Sequence, residues 1–447
     1  MKLFQKLLVA STALGLLTPI AAQATEAVNL EDVESYSRSS SKVKKFDSNT
    51  FANQISDDIA TLNGRVDGIE ARQNNFEAGS FSSTTAMDGK AVFAVGGVDG
   101  GDTIGGSEAL SFAYVYKMNL NTSFTGDDNL YVRLSAGDWG SNFTKKPGNY
   151  HIEAKNTGNT LKLDKIWYTF PLGDNTTVWV GPAIENYYMM AATPSIYKPG
   201  VLKAFKLGGN GAVFGASTDG GAGIKYEFGD SGLAMSTNYV GKGSLTTSGI
   251  LTDGDKSKID TMIAFTKPQY HASVTYSKQH AGWDAHEYYS TELIHGNVGE
   301  VKKLGSSANA DAYAIRAYWR PEDAGTAMPE LSVGYDLINF DNHPLNVSEG
   351  SGYFVGLGWQ DTIQADDRIG IALGQPVKAT SVSTGTLSEV EPFLWEAYYS
   401  FKPNDSVTIT PAIWGGTDVE SSTDQDIFGA MLTTCLLYTS PSPRDVI

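Results

Sequence analysis

Lys198, Lys203 and Lys206 fall in one stretch, residues 186–221, that opens on Tyr187 and Tyr188 and holds a single acid, Asp219. Cations grouped at a constriction are chemistry for detaining an anion, because a low-dielectric wall concentrates their field. The two rings also offer a sugar an apolar face to stack on. If the stretch is simply open to water, the lysines hydrate a loop and do neither. Five further charges, Lys117, Arg133, Arg316, Asp336 and Glu396, stand singly inside runs that alternate apolar and polar residues.

Other combinations carry less. His280, His286 and His295 share one loop, but a metal needs converging ligands and their spacing matches no site, so they read as solvated. The segment GGNGAVFGAS lacks the Lys and the strand-to-helix setting of a phosphate loop and reads as flexible glycine. A hydrolase built on a barrel wall would need a Ser beside a His, and His271 has no partner that the sequence assigns. No catalytic residue, metal or cofactor is therefore expected.

The single charges are positioned by strands. In LSFAYVYKMNL, Leu110, Phe112, Tyr114, Tyr116, Met118 and Leu120 share one face, and Ser111, Lys117 and Asn119 the other. That is longer than the usual soluble strand of about five or six residues and close to the roughly nine to eleven of a tilted membrane strand. Sixteen such runs follow one another from 90–97 to 426–434. Connections after even-numbered runs are mostly short, as in GDNT, GDSG and KPND; those after odd-numbered runs are mostly long, as in 138–159, 186–221 and 279–309. Short turns on one rim and long loops on the other predict an all-β fold, a 16-stranded antiparallel transmembrane barrel over residues 88–434 with a lipid-facing exterior and a wet interior. On that reading Lys117, Arg133, Arg316, Asp336 and Glu396 line the pore wall.

Composition agrees. Hydrophobic residues make up 41% and mean hydropathy is −0.21, while 48 Gly, 22 Tyr, 19 Phe and 8 Trp suit strands, turns and aromatic girdles. The start, MKLFQKLLVASTALGLLTPIAAQA, has Lys2 and Lys6 ahead of an apolar stretch and ends small-x-small, the pattern of an export signal over residues 1–24. Loss of Lys2 and Lys6 takes the net charge from −17 to −19, which argues against nucleic acid as a partner. With one Cys, no intramolecular disulfide can form.

A flexible linker over 25–50 precedes a heptad segment, 51–78. Ile55, Ile59, Leu62, Val66, Ile69, Gln73 and Phe76 are spaced 4, 3, 4, 3, 4 and 3 residues apart. Such a seam predicts a coiled-coil helix, and Ile at both seam positions leans towards a homotrimer. The alternative is that the helix packs on the chain's own body. A trimeric surface adhesin or a structural envelope protein with a barrel anchor is the competing function.

MKLFQKLLVA, LNGRVDGIEA, FSSTTAMDGKAVFAVGG and KIWYTFPLGDNT, in this order, resemble the cyanobacterial outer-membrane porins of the marine unicellular type. These are related to the carbohydrate-selective porins and often labelled iron uptake porins. The resemblance implies a trimeric, sixteen-stranded porin in outer-membrane lipid that passes small hydrophilic solutes, ions and sugars among them, by diffusion. It also implies that the loop after the fifth strand folds inward, so that Tyr187, Tyr188, Lys198, Lys203 and Lys206 meet the solute at a constriction. The family usually carries an S-layer-homology domain where this chain has only residues 25–50, which leaves cell-wall contact open.

Family members also end on a strand that closes in an aromatic residue. Here Cys435 leads into CLLYTSPSPRD, which is what a common transposase sequencing adapter encodes when translated. Residues 435–447 are accordingly read as an artefact, and the last strand as cut short at Thr434 with an open barrel edge.

Overall fold

The computed structural model describes residues 84–439, apart from 101–108, 141–142, 146–147, 210, 216–217, 246–248, 284–288, 296–303, 388–390 and 420–425. Contacts separate residues 1–83 from 84–447. The export signal, the linker and the heptad seam of Ile55, Ile59, Leu62, Val66, Ile69 and Phe76 lie outside the described residues.

Sixteen strands make one closed antiparallel barrel in which neighbours in sequence are neighbours in the sheet. They are β1 (Thr85–Asp99), β2 (Ser111–Thr122), β3 (Asn129–Asp138), β4 (Lys162–Pro171), β5 (Thr176–Ile184), β6 (Asp219–Glu227), β7 (Leu233–Gly241) and β8 (Ser257–Thr266). The second half comprises β9 (Tyr270–His280), β10 (Asn309–Trp319), β11 (Glu330–Asp341), β12 (Val347–Gln360), β13 (Arg368–Val382), β14 (Phe393–Asn404), β15 (Val407–Thr417) and β16 (Ile427–Thr439). Each alternating run of the sequence is one of these strands. β12 and β13 run further towards the long-loop rim than the alternation does, because bulges interrupt their pairing there and shift which face each residue takes.

Burial is inverted relative to a soluble protein. β11 alternates buried and exposed without a break: Leu331, Val333, Tyr335 and Leu337 face outward, and Ser332, Gly334, Asp336 and Ile338 inward. On β2, Phe112 is 80% exposed while Val115 on the inner face is wholly buried. An exterior of this kind is stable only against hydrocarbon. The short turns lie on one rim and are closed by local carboxylates. Asp128 accepts from the Phe124 and Thr125 N–H groups at 2.9 and 2.8 Å, and Asp367 accepts from those of Thr362, Ile363 and Gln364.

The expected open edge is corrected by the seam. β16 continues past Thr434, and Cys435–Thr439 pair with Val92–Asp88 of β1. Tyr438 stacks on Tyr116 at 5.9 Å. Truncation after Thr434 would strip partners from that end of β1, where each unpaired group in lipid costs several kcal/mol. The truncated chain should give less heat-modifiable barrel on gels than the full chain; equal yields would show these rungs to be dispensable.

Candidate functional site

The connection between β5 and β6, residues 185–218, runs against the inner wall rather than into solvent. The wall holds it through its own polar groups. Glu396 of β14 accepts the N–H groups of Gly200, Val201 and Leu202 at 3.0, 3.0 and 2.6 Å, and the Tyr197 hydroxyl at 2.8 Å. Arg316 of β10 donates to the Leu207 carbonyl at 3.0 Å and forks onto Asp336 of β11 at 2.9 and 2.8 Å. Further along, Gln279 donates to the Ala212 carbonyl at 2.9 Å, and Lys258 to the carbonyls of Val213 and Gly215.

The contact is close enough to require glycine on both sides. A Cβ on Gly334 would lie 1.9 Å from the Gly208 carbonyl, and one on Gly211 within 2.7 Å of both Asp336 carboxylate oxygens. The glycine segment expected to be flexible is therefore seated on the wall, with Ala212, Val213 and Phe214 buried. Arg316, Asp336 and Glu396 do face inward, but their charges are spent on the loop and on each other.

The remaining predicted residues fall into two groups. In the first, β2 to β4 present Lys117, Arg133 and Lys165 towards Lys203 and Lys206. Glu153, from the loop after β3, lies between Lys90 and Lys117 at 2.5 and 2.6 Å. Glu185 pairs with Lys165 and accepts from Tyr187. Lys206 stands 3.9 Å from the centre of the Tyr187 ring, and Lys165 5.0 Å from that of Tyr188. Tyr187, Tyr188, Trp167 and Tyr131 follow one another at centroid spacings of 4.7, 4.7 and 4.2 Å. Ring faces are thus taken up by one another and by ammonium groups, and the rings act as a rigid backing for the cations. Arg133 donates to Asn119 at 2.8 Å and sits over Tyr131.

Burial controls charge here. It is the main reason that Lys203 and Lys206 are lowered, to about 7 and about 8, with neighbouring cations adding to it and Glu185 opposing it. Burial alone would raise the Glu185 carboxyl, but Lys165 and Lys206 hold it at about 2. His151, buried and accepting the Glu153 N–H on Nδ1, is lowered to about 3 and carries no charge at neutral pH.

Lys198 belongs elsewhere. Beside the turn held by Glu396 it lines a cavity of about 370 Å³, together with Lys90, Glu153, Arg368 and Lys402. A larger cavity of about 690 Å³ lies on the short-turn rim between Lys267, Arg320 and Trp359, with Gln360 lining both cavities.

His271 has a partner that spacing did not assign. Its Nε2 lies 2.9 Å from the Ser273 hydroxyl and its Nδ1 2.7 Å from the Thr266 hydroxyl. The histidine and Ser273 are both buried, and the third position is a hydroxyl where a nucleophilic triad has a carboxylate. Among the described residues no three His, Cys, Asp or Glu converge as a metal site would need. Lys90, Glu153, Lys165 and Glu185 escaped the sequence reading. Lys165 had a signal, a single charge in the alternating KIWYTFP run, whereas Glu153 lies in a loop without periodicity.

Sixteen antiparallel strands, apolar outside and polar within, define a porin-type barrel of the outer membrane. The chain belongs to the carbohydrate-selective porin, OprB family, whose sequence profile matches residues 47–414. It is 26% identical over 415 residues to the uncharacterized protein alr4550 of Nostoc sp., covering 85% of this chain and 70% of that one. It is 25% identical over 394 residues to the uncharacterized protein sll0772 of Synechocystis sp., covering 80% and 69%. Among solved structures, OprB of Pseudomonas putida superposes with a TM-score of 0.55 at 12% identity, covering 80% of this chain and 94% of that one. A loop-deleted OmpT of Vibrio cholerae superposes at 0.50 and 9% identity, covering 79% and 99%. These two likenesses show the fold. Family and fold are those of channels rather than enzymes, and a channel of this family passes small hydrophilic solutes.

Proposed function

We propose that the protein is a diffusion porin in which loop 185–218 narrows the lumen and favours anions at the narrowest level. One observation carries this reading: among the described residues Lys90, Lys117, Arg133, Lys165, Lys203 and Lys206 gather around Glu153 and Glu185, so that cations outnumber the carboxylates between them. In a low-dielectric surround that excess attracts anions and repels cations. Sugars would pass the same level by hydrogen bonding to groups such as Asn119 and the Tyr131 hydroxyl, since the ring faces are occupied. The heptad residues Ile55, Ile59, Leu62, Val66, Ile69 and Phe76 would assemble three such barrels, behind an export signal over 1–24, while residues 435–447 would be adapter-derived.

Reconstitution into planar bilayers tests the reading. Insertions should occur in groups of three conductance steps, with a reversal potential on the anion side across a KCl gradient. Changing Ile59, Leu62 and Ile69 to Ser should convert the triplets to single steps while leaving each step conducting. A cation-selective wild-type channel would refute the anion preference, and triplets that survive the Ser changes would refute the seam.

A further inference from the structure

The cavity around Lys198 lies on the short-turn side of Glu396 and adjoins the first group of cations, whose Lys90 and Glu153 also line it. Its cations come from four elements: Lys198 from the loop, Arg368 from the start of β13, Lys402 from β14 and Lys90 from β1. Among the described residues Lys198 has no carboxylate within ion-pair distance. Arg368 gives one nitrogen to Glu330 at 3.1 Å, and Lys402 stands 3.8 Å from the exposed Asp366. The acids on the wall are otherwise engaged. Asp367 accepts turn N–H groups and the Tyr399 hydroxyl, Asp361 accepts the Asp366 N–H, and Glu153 lies between Lys90 and Lys117.

Beside the cations is a face of hydroxyls. Ser400, Thr408, Thr410 and Thr433 come from β14, β15 and β16 and line the same cavity. Strand register explains their grouping: Arg368 is directly across from Ser400, and Thr410 directly across from Thr433. The Ser400 and Thr410 hydroxyls are 3.0 Å apart. Hydroxyls both donate and accept, which is what the hydroxyls of a sugar require. A guanidinium fork beside two ammonium groups suits the oxygens of a phosphate or carboxylate. At about 370 Å³ the cavity is within the roughly 300–1,000 Å³ of small-molecule sites.

We infer that this cavity is a second binding site, for a monosaccharide-sized polyol carrying a phosphate or carboxylate, with its anionic end among Lys198, Arg368 and Lys402 and its hydroxyls against Ser400, Thr408, Thr410 and Thr433. The inference rests on the lumen being the solute path, but not on the anion preference of Lys203 and Lys206. The site detains one class of solute beside a less selective constriction.

The test is block of single-channel current, expressed per open channel so that changes in conductance divide out. Glucose 6-phosphate and glucuronate should each interrupt the current in a concentration-dependent way, at concentrations at least tenfold below those at which glucose does. Lys198→Gln with Lys402→Gln should raise the blocking concentration of both at least tenfold, in protein that still forms heat-modifiable barrel. Thr408→Val with Thr410→Val should narrow the gap between glucose 6-phosphate and inorganic phosphate. Inorganic phosphate blocking as well as glucose 6-phosphate in the wild type would overturn the polyol half of the inference. Unchanged block in the double Gln variant would overturn the site itself. If the protein does not conduct, calorimetric binding of glucose 6-phosphate in detergent decides the site separately: binding lost in the double Gln variant upholds it, and no binding by wild type removes it.

Discussion

Raising the pH from about 6 to about 9 should remove about half of the channel's anion preference, and changing Lys203 and Lys206 together to Glu should abolish it at any pH in that range. Both ammonium groups titrate low, near 7 and 8, chiefly because burial beside the loop disfavours their charged forms. The sign follows directly: a lowered lysine keeps its charge below its own pKa and loses it above, so positive potential fades as the solution becomes alkaline. Each charge change in a partly hydrated lumen is worth on the order of 1 kcal/mol, or about fivefold in the ratio of anion to cation permeability. The measurement is reversal potential across a fixed KCl gradient at a series of pH values. A ratio that stays flat from pH 6 to 9, or a double Glu variant that remains anion-selective, would remove these two lysines from the filter.

The second large effect concerns stability. Asp336→Ala should destabilise the barrel by about 3–5 kcal/mol, because it leaves the Arg316 guanidinium buried without its counter-charge. Both residues are only 1% exposed, so no water replaces the lost partner. Replacing the pair together, Arg316→Met with Asp336→Leu, should recover most of the loss in unfolding, since an apolar pair of similar volume avoids the desolvation cost. The same double change removes the donor to the Leu207 carbonyl, so the loop should still loosen and the open-channel current become noisier. Urea midpoints in detergent measure the first part and current variance the second. A single Ala variant that unfolds at the wild-type urea concentration would mean that the pair is hydrated.

The strands were readable because lipid outside and water inside force a two-residue period on every one of them. Even Lys165 carried that signal. What stayed hidden were pairings between residues far apart in the chain. Lys198, Lys203 and Lys206 look equivalent in sequence, yet the first lines the cavity with Arg368 and Lys402 while the other two stand over the rings of Tyr150 and Tyr187. Glu396 and Asp336 are both buried on the inner face. That Glu396 would hold loop backbone instead of meeting solute depends on where a loop nearly two hundred residues earlier comes to rest, and no local pattern encodes it. The seam was hidden for a different reason: the composition of Cys435–Thr439 reads as foreign, while its alternation is still good enough to pair.

Tyr197 and Glu396, bonded across the lumen, are 199 positions apart in the chain. The Tyr197–Leu202 turn of the loop therefore has nowhere to dock until β14 has been threaded into the sheet, although the two strands flanking the loop belong to the first half of the barrel. Local hairpins form early and distant contacts wait on the cost of closing large loops. Selectivity is then a late event in the life of the molecule. A nascent barrel that has inserted its early hairpins is still an unfiltered opening, and it becomes a discriminating one only as the far half arrives to receive the loop.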